Sequence, residues 1–261
     1  MPDAFYEPDG EDRYLATELT RGPWDAGSQH AGPPSALLAR ELERLPEAED
    51  FQVGRVTFEI LRPVPIGPAV LSARVLRPGR RVQLVEAELS DGEQVLMRAT
   101  AWRLRRAEVE LPERTIHRTP APPPPEQGRE AGYFPTAQEH GYHTAMEVRF
   151  VSGGFMEEGP ATAWLRMRVP LLGGEEPSPL QRLLVVADVG NGISSPVDYR
   201  EFLFLNVELT VHIELLPEGE WIGIDAITYP RPSGVGVTES VLYDREGRLG
   251  RAAQTLLVSG R

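Results

Sequence analysis

Between Leu203 and Leu215 every second residue is apolar: Leu203, Leu205, Val207, Leu209, Val211, Ile213 and Leu215. A period of two predicts one long strand with a single buried face. The stretches AVLSARVL, RVQLVEAEL, TAWLRMRV and EWIGIDAITY carry shorter runs of the same kind. A helical period replaces it in two segments. GPPSALLARELERL opens with prolines suited to a first turn and sets Leu38, Leu42 and Leu45 at helical spacing. PSPLQRLLVVADV predicts Ser178 as N-cap and Pro179 just behind it, with Leu180, Leu183, Leu184 and Ala187 as the apolar stripe.

The pattern also repeats. VTFEI (Val56 to Ile60) matches LTVHI (Leu209 to Ile213), and RATAW (Arg98 to Trp102) matches RAAQT (Arg251 to Thr255), both at a shift of 153 residues. Each half therefore reads as one helix followed by a meander of about four strands. The helix starts, Pro34 and Pro179, differ by only 145, so the second half carries eight more residues between helix and strand. GNGISSP lies there. Between the halves, RTPAPPPPEQGREAG (Arg118 to Gly132) is proline-rich and predicts an extended spacer. The expected division is a first unit over 1–115, a linker over 116–132 and a second unit over 133–261.

Composition narrows the classes. The 261 residues hold 41% hydrophobic and 25% charged side chains, enough for a core. A net charge of −12 argues against a nucleic-acid partner. There is no cysteine, which removes disulfides, thiolate nucleophiles and Cys-based zinc sites. The acidic start MPDAFYEPDGEDRY is unlike a signal peptide, and no apolar run approaches the ~18 residues of a membrane span. A cytoplasmic location is expected. No G-x-S-x-G motif marks a serine-hydrolase elbow.

GPWDAGSQHAGPPSALLARELE in the first half, and VADVGNG, FLNVELTVHIELLPEGEW and DREGRLGRAAQTLLVSGR in the second, resemble the acyl-CoA thioesterase II family. The resemblance covers most of the chain outside the proline segment. It implies an α+β double hotdog: two tandem repeats of helix plus antiparallel sheet in one chain. It also implies hydrolysis of an acyl-CoA by a held water, with CoA as part of the substrate and no metal or redox cofactor. A homodimer or higher homo-oligomer is expected. By the family's pattern the water is held by Asp188, by the residue at 206 and by Gln254. Asn206 departs from the family's hydroxyl, although an amide can still bind water. A non-catalytic acyl-CoA or acyl-carrier binding protein of the same fold is the alternative.

Asp188 lies at the edge of its helix stripe, where acids are usually solvated, and a helix C-terminus disfavours its charge. Strand periodicity puts Asn206 on the face of Phe204, Glu208, Thr210 and His212, opposite the aliphatics. At the shift of 153, Asn206 stands where the first half has Val53, and Gln254 where it has Ala101. Both exchanges run from apolar to polar. Aligning the helix starts sets Asp188 opposite Glu43, also an acid. A backbone N–H in the Gly190 to Gly192 turn is the expected partner of the thioester carbonyl. The phosphate-bearing end of CoA is expected at Arg80 and Arg81, within RPGRR, although RPGRR and RLRR also suit solvated hairpin ends. His30 precedes the first helix, where hotdog dehydratases carry a histidine, but no partner acid follows within that helix. His140 and His143, in HGYH, are expected to be loop histidines rather than metal ligands.

Overall fold

A computed structural model describes residues 2–113, 119–134 and 136–261. Its strands are β1 (Tyr6–Pro8), β2 (Arg13–Ala16), β3 (Phe51–Ile60), β4 (Pro68–Arg77), β5 (Val82–Ser90) and β6 (Val95–Arg105), then β7 (Met146–Gly154), β8 (Glu157–Met167), β9 (Phe202–Ile213), β10 (Ile222–Pro230), β11 (Val235–Asp244) and β12 (Gly247–Gly260). The helices are α1 (Gly32–Glu43), α2 (Tyr142–Ala145), α3 (Pro179–Ala187) and α4 (Gly190–Ile193). Both predicted helices form, and Ser178 caps α3 by accepting a hydrogen bond from the Gln181 N–H.

The strands join one sheet in the order β1-β2-β4-β5-β6-β3-β9-β12-β11-β10-β8-β7. That order reads the same from either edge when strands at related positions are exchanged: β3 for β9, β6 for β12, β5 for β11, β4 for β10. The centre is the antiparallel pair β3–β9, in which Thr57 faces Thr210 with hydroxyls 3.0 Å apart. Those two threonines are themselves 153 residues apart.

α1 and α3 pack on each other and against the sheet. They come very close where α1 begins. A Cβ on Gly32 would press on the Val185 carbonyl oxygen, so only glycine fits there. The core beneath them collects Leu37, Leu38, Leu183, Leu184, Phe58, Val211 and Ala99, all at most 1% exposed.

The long alternation in β9 is broken. β12 pairs Thr255 with Glu208 and then Leu256 with Asn206, which skips Val207. Val207 is the extra residue of a bulge and is 47% exposed. One extra residue moves every side chain before it to the opposite face. Asn206 and Phe204 therefore turn toward the helices, away from the face of Glu208, Thr210 and His212 predicted for them. β3 carries the same irregularity at Gly54, between Val53 and Arg55.

The described part of the proline segment is pinned along the second half, although most of its side chains are exposed. Trp164 donates its indole N–H to the Pro123 carbonyl (2.7 Å), Arg129 and Phe150 exchange backbone hydrogen bonds, and Arg245 pairs with Glu126. Residues 114–118, where the predicted boundary at 115/116 falls, lie outside the described residues.

Candidate active site

α3 ends at Ala187 with Asp188 as its C-cap, and α4 starts two residues later. This leaves the Asp188 side chain between α3, the start of α1 and the β9–β12 pair, 3% exposed. Its Oδ1 accepts from Asn206 Nδ2 (2.8 Å) and Gln254 Nε2 (3.2 Å). Gln254 Nε2 also donates to the Asp188 carbonyl (3.0 Å), while Gln254 Oε1 accepts the Asn191 N–H (3.0 Å). Both ends of the Gln254 amide are thus fixed, and its orientation is set by the backbone of α4. The three residues singled out from the sequence meet at one carboxylate.

The other oxygen, Oδ2, lies 3.1 Å from His30 Nδ1. The N–H groups of Ala31 and Gly32, at the N-terminus of α1, also favour the Asp188 charge. Burial opposes it more strongly. Removal from water pushes the carboxyl up to about 7, against the pull of Asn206, Gln254 and the backbone N–H groups. The cause is thus burial, and α1's N-terminus counters the field of Asp188's own helix end.

Burial pushes His30 down to about 3, so the imidazole is neutral and the contact is no ion pair. Its Nδ1 also accepts the Gly32 N–H (3.0 Å). A bond to Asp188 then needs the proton on Oδ2, because an imidazole nitrogen that accepts cannot also donate. The ring is clamped by Tyr142, stacked at 3.9 Å and 5°, whose hydroxyl donates to the Val185 carbonyl (3.0 Å). Tyr142 and Tyr133 are both pushed up by burial, with the Asp188 charge adding to it.

The sequence marks His30, and a dehydratase pattern would put its acid inside the same helix. The acid comes instead from the other half of the chain, 158 residues away. Tyr133 and Tyr142 carried no local signal at all. Of the HGYH pair, His143 stacks on Tyr133 at 4.8 Å.

Two N–H groups of the turn are engaged: that of Asn191 goes to Gln254 and that of Gly192 to Val189 (2.9 Å), so α4 helps to hold the site together. Gly190 is required by packing. A Cβ there would stand 2.6 Å from Ser240 Oγ and 3.0 Å from Gln254 Oε1. Arg80 and Arg81 lie on the β4–β5 hairpin, which Arg105 ties to the chain just after α1: it donates to the Arg80 carbonyl and pairs with Glu47 and Asp50. Asp188 sits at the other end of α1, and twelve helical residues span about 18 Å. The structure does not bring these two arginines to the carboxylate.

Residues 20–104 match the acyl-CoA thioesterase N-terminal domain, and residues 118–258 match the acyl-CoA thioesterase C-terminal domain. The chain belongs to the acyl-CoA thioesterase family. It is a thioester hydrolase of that family, and the candidate site draws on both matched parts: His30 on the first, and Asp188, Asn206 and Gln254 on the second. A search of curated proteins found no match. Among solved structures, a candidate thioesterase II from Thermobifida fusca is similar at 20% identity and TM-score 0.75, covering 97% of this chain and 95% of that one. A hot dog fold protein of unknown function from Alicyclobacillus acidocaldarius is similar at 17% identity and TM-score 0.70, covering 99% and 97%. Acyl-CoA thioesterase II from Mycobacterium marinum is similar at 15% identity and TM-score 0.65, covering 98% and 96%. At these identities the likeness of the thioesterase to its neighbours is one of hotdog fold. Among the described residues, no helix is long and apolar enough to cross a membrane.

Proposed function

We propose that the chain hydrolyses acyl-CoA to a free acid and CoA with a water held by Asp188, Asn206 and Gln254. The observation that carries this reading is the buried Asp188 carboxyl, raised to about 7 and gripped on one oxygen by both amides. A base titrating near neutral pH is well matched to taking a proton from water. Because Asn206 Nδ2 is committed to Asp188, its Oδ1 is turned to accept from that same water. Asp188 Oδ2 takes the proton as the water oxygen attacks the thioester carbon. The tetrahedral intermediate collapses with cleavage of the C–S bond, and the thiolate leaves with CoA. Once on Oδ2, the proton is steadied by a hydrogen bond donated to His30 Nδ1 on the far side. No cofactor enters these steps.

In this reading the chain is two tandem helix-plus-sheet repeats, 1–115 and 133–261, and the first has lost its site because Val53 and Ala101 stand where Asn206 and Gln254 are needed. Incubation with a panel of acyl-CoAs and a thiol reagent tests the activity. Thiol release on at least one chain length is expected. Binding of CoA thioesters without any release favours the non-catalytic binder. Titration with a non-hydrolysable thioether analogue should give one site per chain, and two sites overturn the degenerate first half.

A further inference from the structure

A pocket of about 220 Å³ opens beside the site, lined by Pro23, Trp24, Phe134, Tyr199, Arg200 and Arg261. It lies one layer of rings outside Asp188. The Trp24 ring meets the buried Phe204 edge-on at 4.8 Å. Phe204 is two residues from Asn206 on β9, about 7 Å along the strand and on the same face. On the other wall, Phe134 follows Tyr133, whose hydroxyl feels the Asp188 charge. The rings of Phe134 and Tyr199 are 5.2 Å apart.

Two guanidinium groups stand at this mouth. Arg261 uses Nε to donate to the Tyr199 carbonyl (2.9 Å), lies 5.8 Å above Trp24 and meets no carboxylate among the described residues. Arg200 has a side chain 64% exposed and only a long contact with Asp198, at 3.9 Å. By contrast, Arg40, Arg74, Arg98 and Arg166 each sit within 3 Å of a glutamate. In a chain of net charge −12, this pair has donors to spare and stands beside aromatic rings at the mouth of a pocket. Guanidinium forks fit phosphate oxygens, and aromatic faces beside them hold the groups in place. Glu157, Glu158 and Asp198 lie in the adjoining pocket, beyond Phe134 and Tyr199.

We infer that the Trp24–Arg200–Arg261 pocket receives the phosphate end of the pantetheine carrier. This rests on the thioesterase reading for its kinetic test, though not for its binding test. Kinetically, R200A/R261A is compared with the parent on three substrates of one acyl group: acyl-CoA, acyl-4′-phosphopantetheine and acyl-pantetheine. Loss of charge-assisted hydrogen bonds should raise KM for acyl-CoA about tenfold to a hundredfold with kcat nearly constant. The loss on acyl-pantetheine should be at least about tenfold smaller, because it carries no phosphate. A loss shared with acyl-4′-phosphopantetheine assigns the arginines to the phosphate common to CoA and carrier proteins. A loss confined to acyl-CoA assigns them to its nucleotide phosphates. R200K/R261K, which keeps the charge without the fork, should fall between the parent and R200A/R261A. Equal losses on all three substrates would mean that the arginines merely shape the pocket, and the inference falls. For binding alone, calorimetry with CoA should give weaker affinity for R200A/R261A than for the parent, while R80A/R81A is unchanged. If the parent hydrolyses nothing yet this order holds, the thioesterase reading fails and the subsite stands. If R80A/R81A weakens CoA binding and R200A/R261A does not, the subsite is at the other end of α1.

Discussion

Asp188 and Glu43 hold the same station in the two halves of the chain: an acid at the end of a helix, facing the start of the opposite helix. Burial raises the pKa of both. Their neighbours differ. Glu43 accepts from Ser178 Oγ (2.8 Å) and Gln181 Nε2 (2.9 Å), and so finishes the N-terminus of α3. At the shift of 153 residues, the sheet of that half has Val53 and Ala101 in place of the two amides. Asp188 faces the N-terminus of α1 in the same way, but there the sheet supplies Asn206 and Gln254, and the loop before α1 supplies His30. The eight additional residues of the second half matter too, since α4 provides the Asn191 N–H that orients Gln254. A buried acid at a helix junction is thus a cap by default. It becomes a candidate base where oriented amides and a proton-sharing ring are added.

Exchanging single groups between the two stations breaks or sharpens this comparison. Asp188→Asn should lower kcat by about 10²–10⁴, the usual worth of a positioned base, with the affinity for a thioether analogue almost unmoved. Equal turnover by this variant would sink the base assignment. Asn206→Val installs the first half's side chain and should cost about 2–4 kcal/mol of barrier, by analogy with a deleted oxyanion donor. If kcat holds, the strand position is structural.

The acidity of Asp188 makes two more claims. Turnover that needs the carboxylate should rise with pH through about 7 and then level off. Stability should run the other way. An acid whose folded pKa is raised from 3.8 to about 7 favours the folded state when protonated, and that contribution is lost as pH climbs from about 4 to about 7. The difference is on the order of 4 kcal/mol. Asp188→Asn should therefore melt above the parent at pH 8 and lose that lead near pH 4. A lead independent of pH excludes the raised acidity. The smallest effects belong to Asn206→Thr, which can still donate to Asp188 and should keep turnover within about threefold, and to Glu43→Gln, whose turnover should match the parent. A large loss in Glu43→Gln would show that the first station is not idle.

Much of this arrangement could be read from the chain, and the rest was hidden for identifiable reasons. Strand alternation and the two helix starts are local patterns, and they appear where expected. The bulge at Val207 is not a pattern: a strand with one extra residue has the same composition and almost the same alternation, yet Asn206 changes face. Its counterpart at Gly54 is equally silent. His30 and Asp188 meet across 158 residues, beyond any motif. Density along the chain and convergence in space pick out different cations. RPGRR marks a hairpin tip, whereas Arg200 and Arg261 are isolated in sequence and converge only through Trp24 and Tyr199. Proline content suggested an extended segment but could not say that Trp164 and Phe150 dock it.

The seam between β3 and β9 sets the conditions under which this site comes into being. Its register, from Arg55 with His212 to Glu59 with Glu208, joins residues roughly 150 positions apart. Contacts of such long range are slow to form, because loop closure precedes any gain from pairing. Until it closes, β3 and β9 each expose an unpaired edge ready to accept a strand from another chain. His30 and Asp188 lie on opposite sides of the same seam. Ribosomal synthesis thus completes the histidine's half long before the acid exists, and the nascent first half must be kept from self-association until β9 emerges. Cleaving the chain in the proline segment would recreate that hazard, leaving two sticky fragments, neither of which holds both partners of the proton.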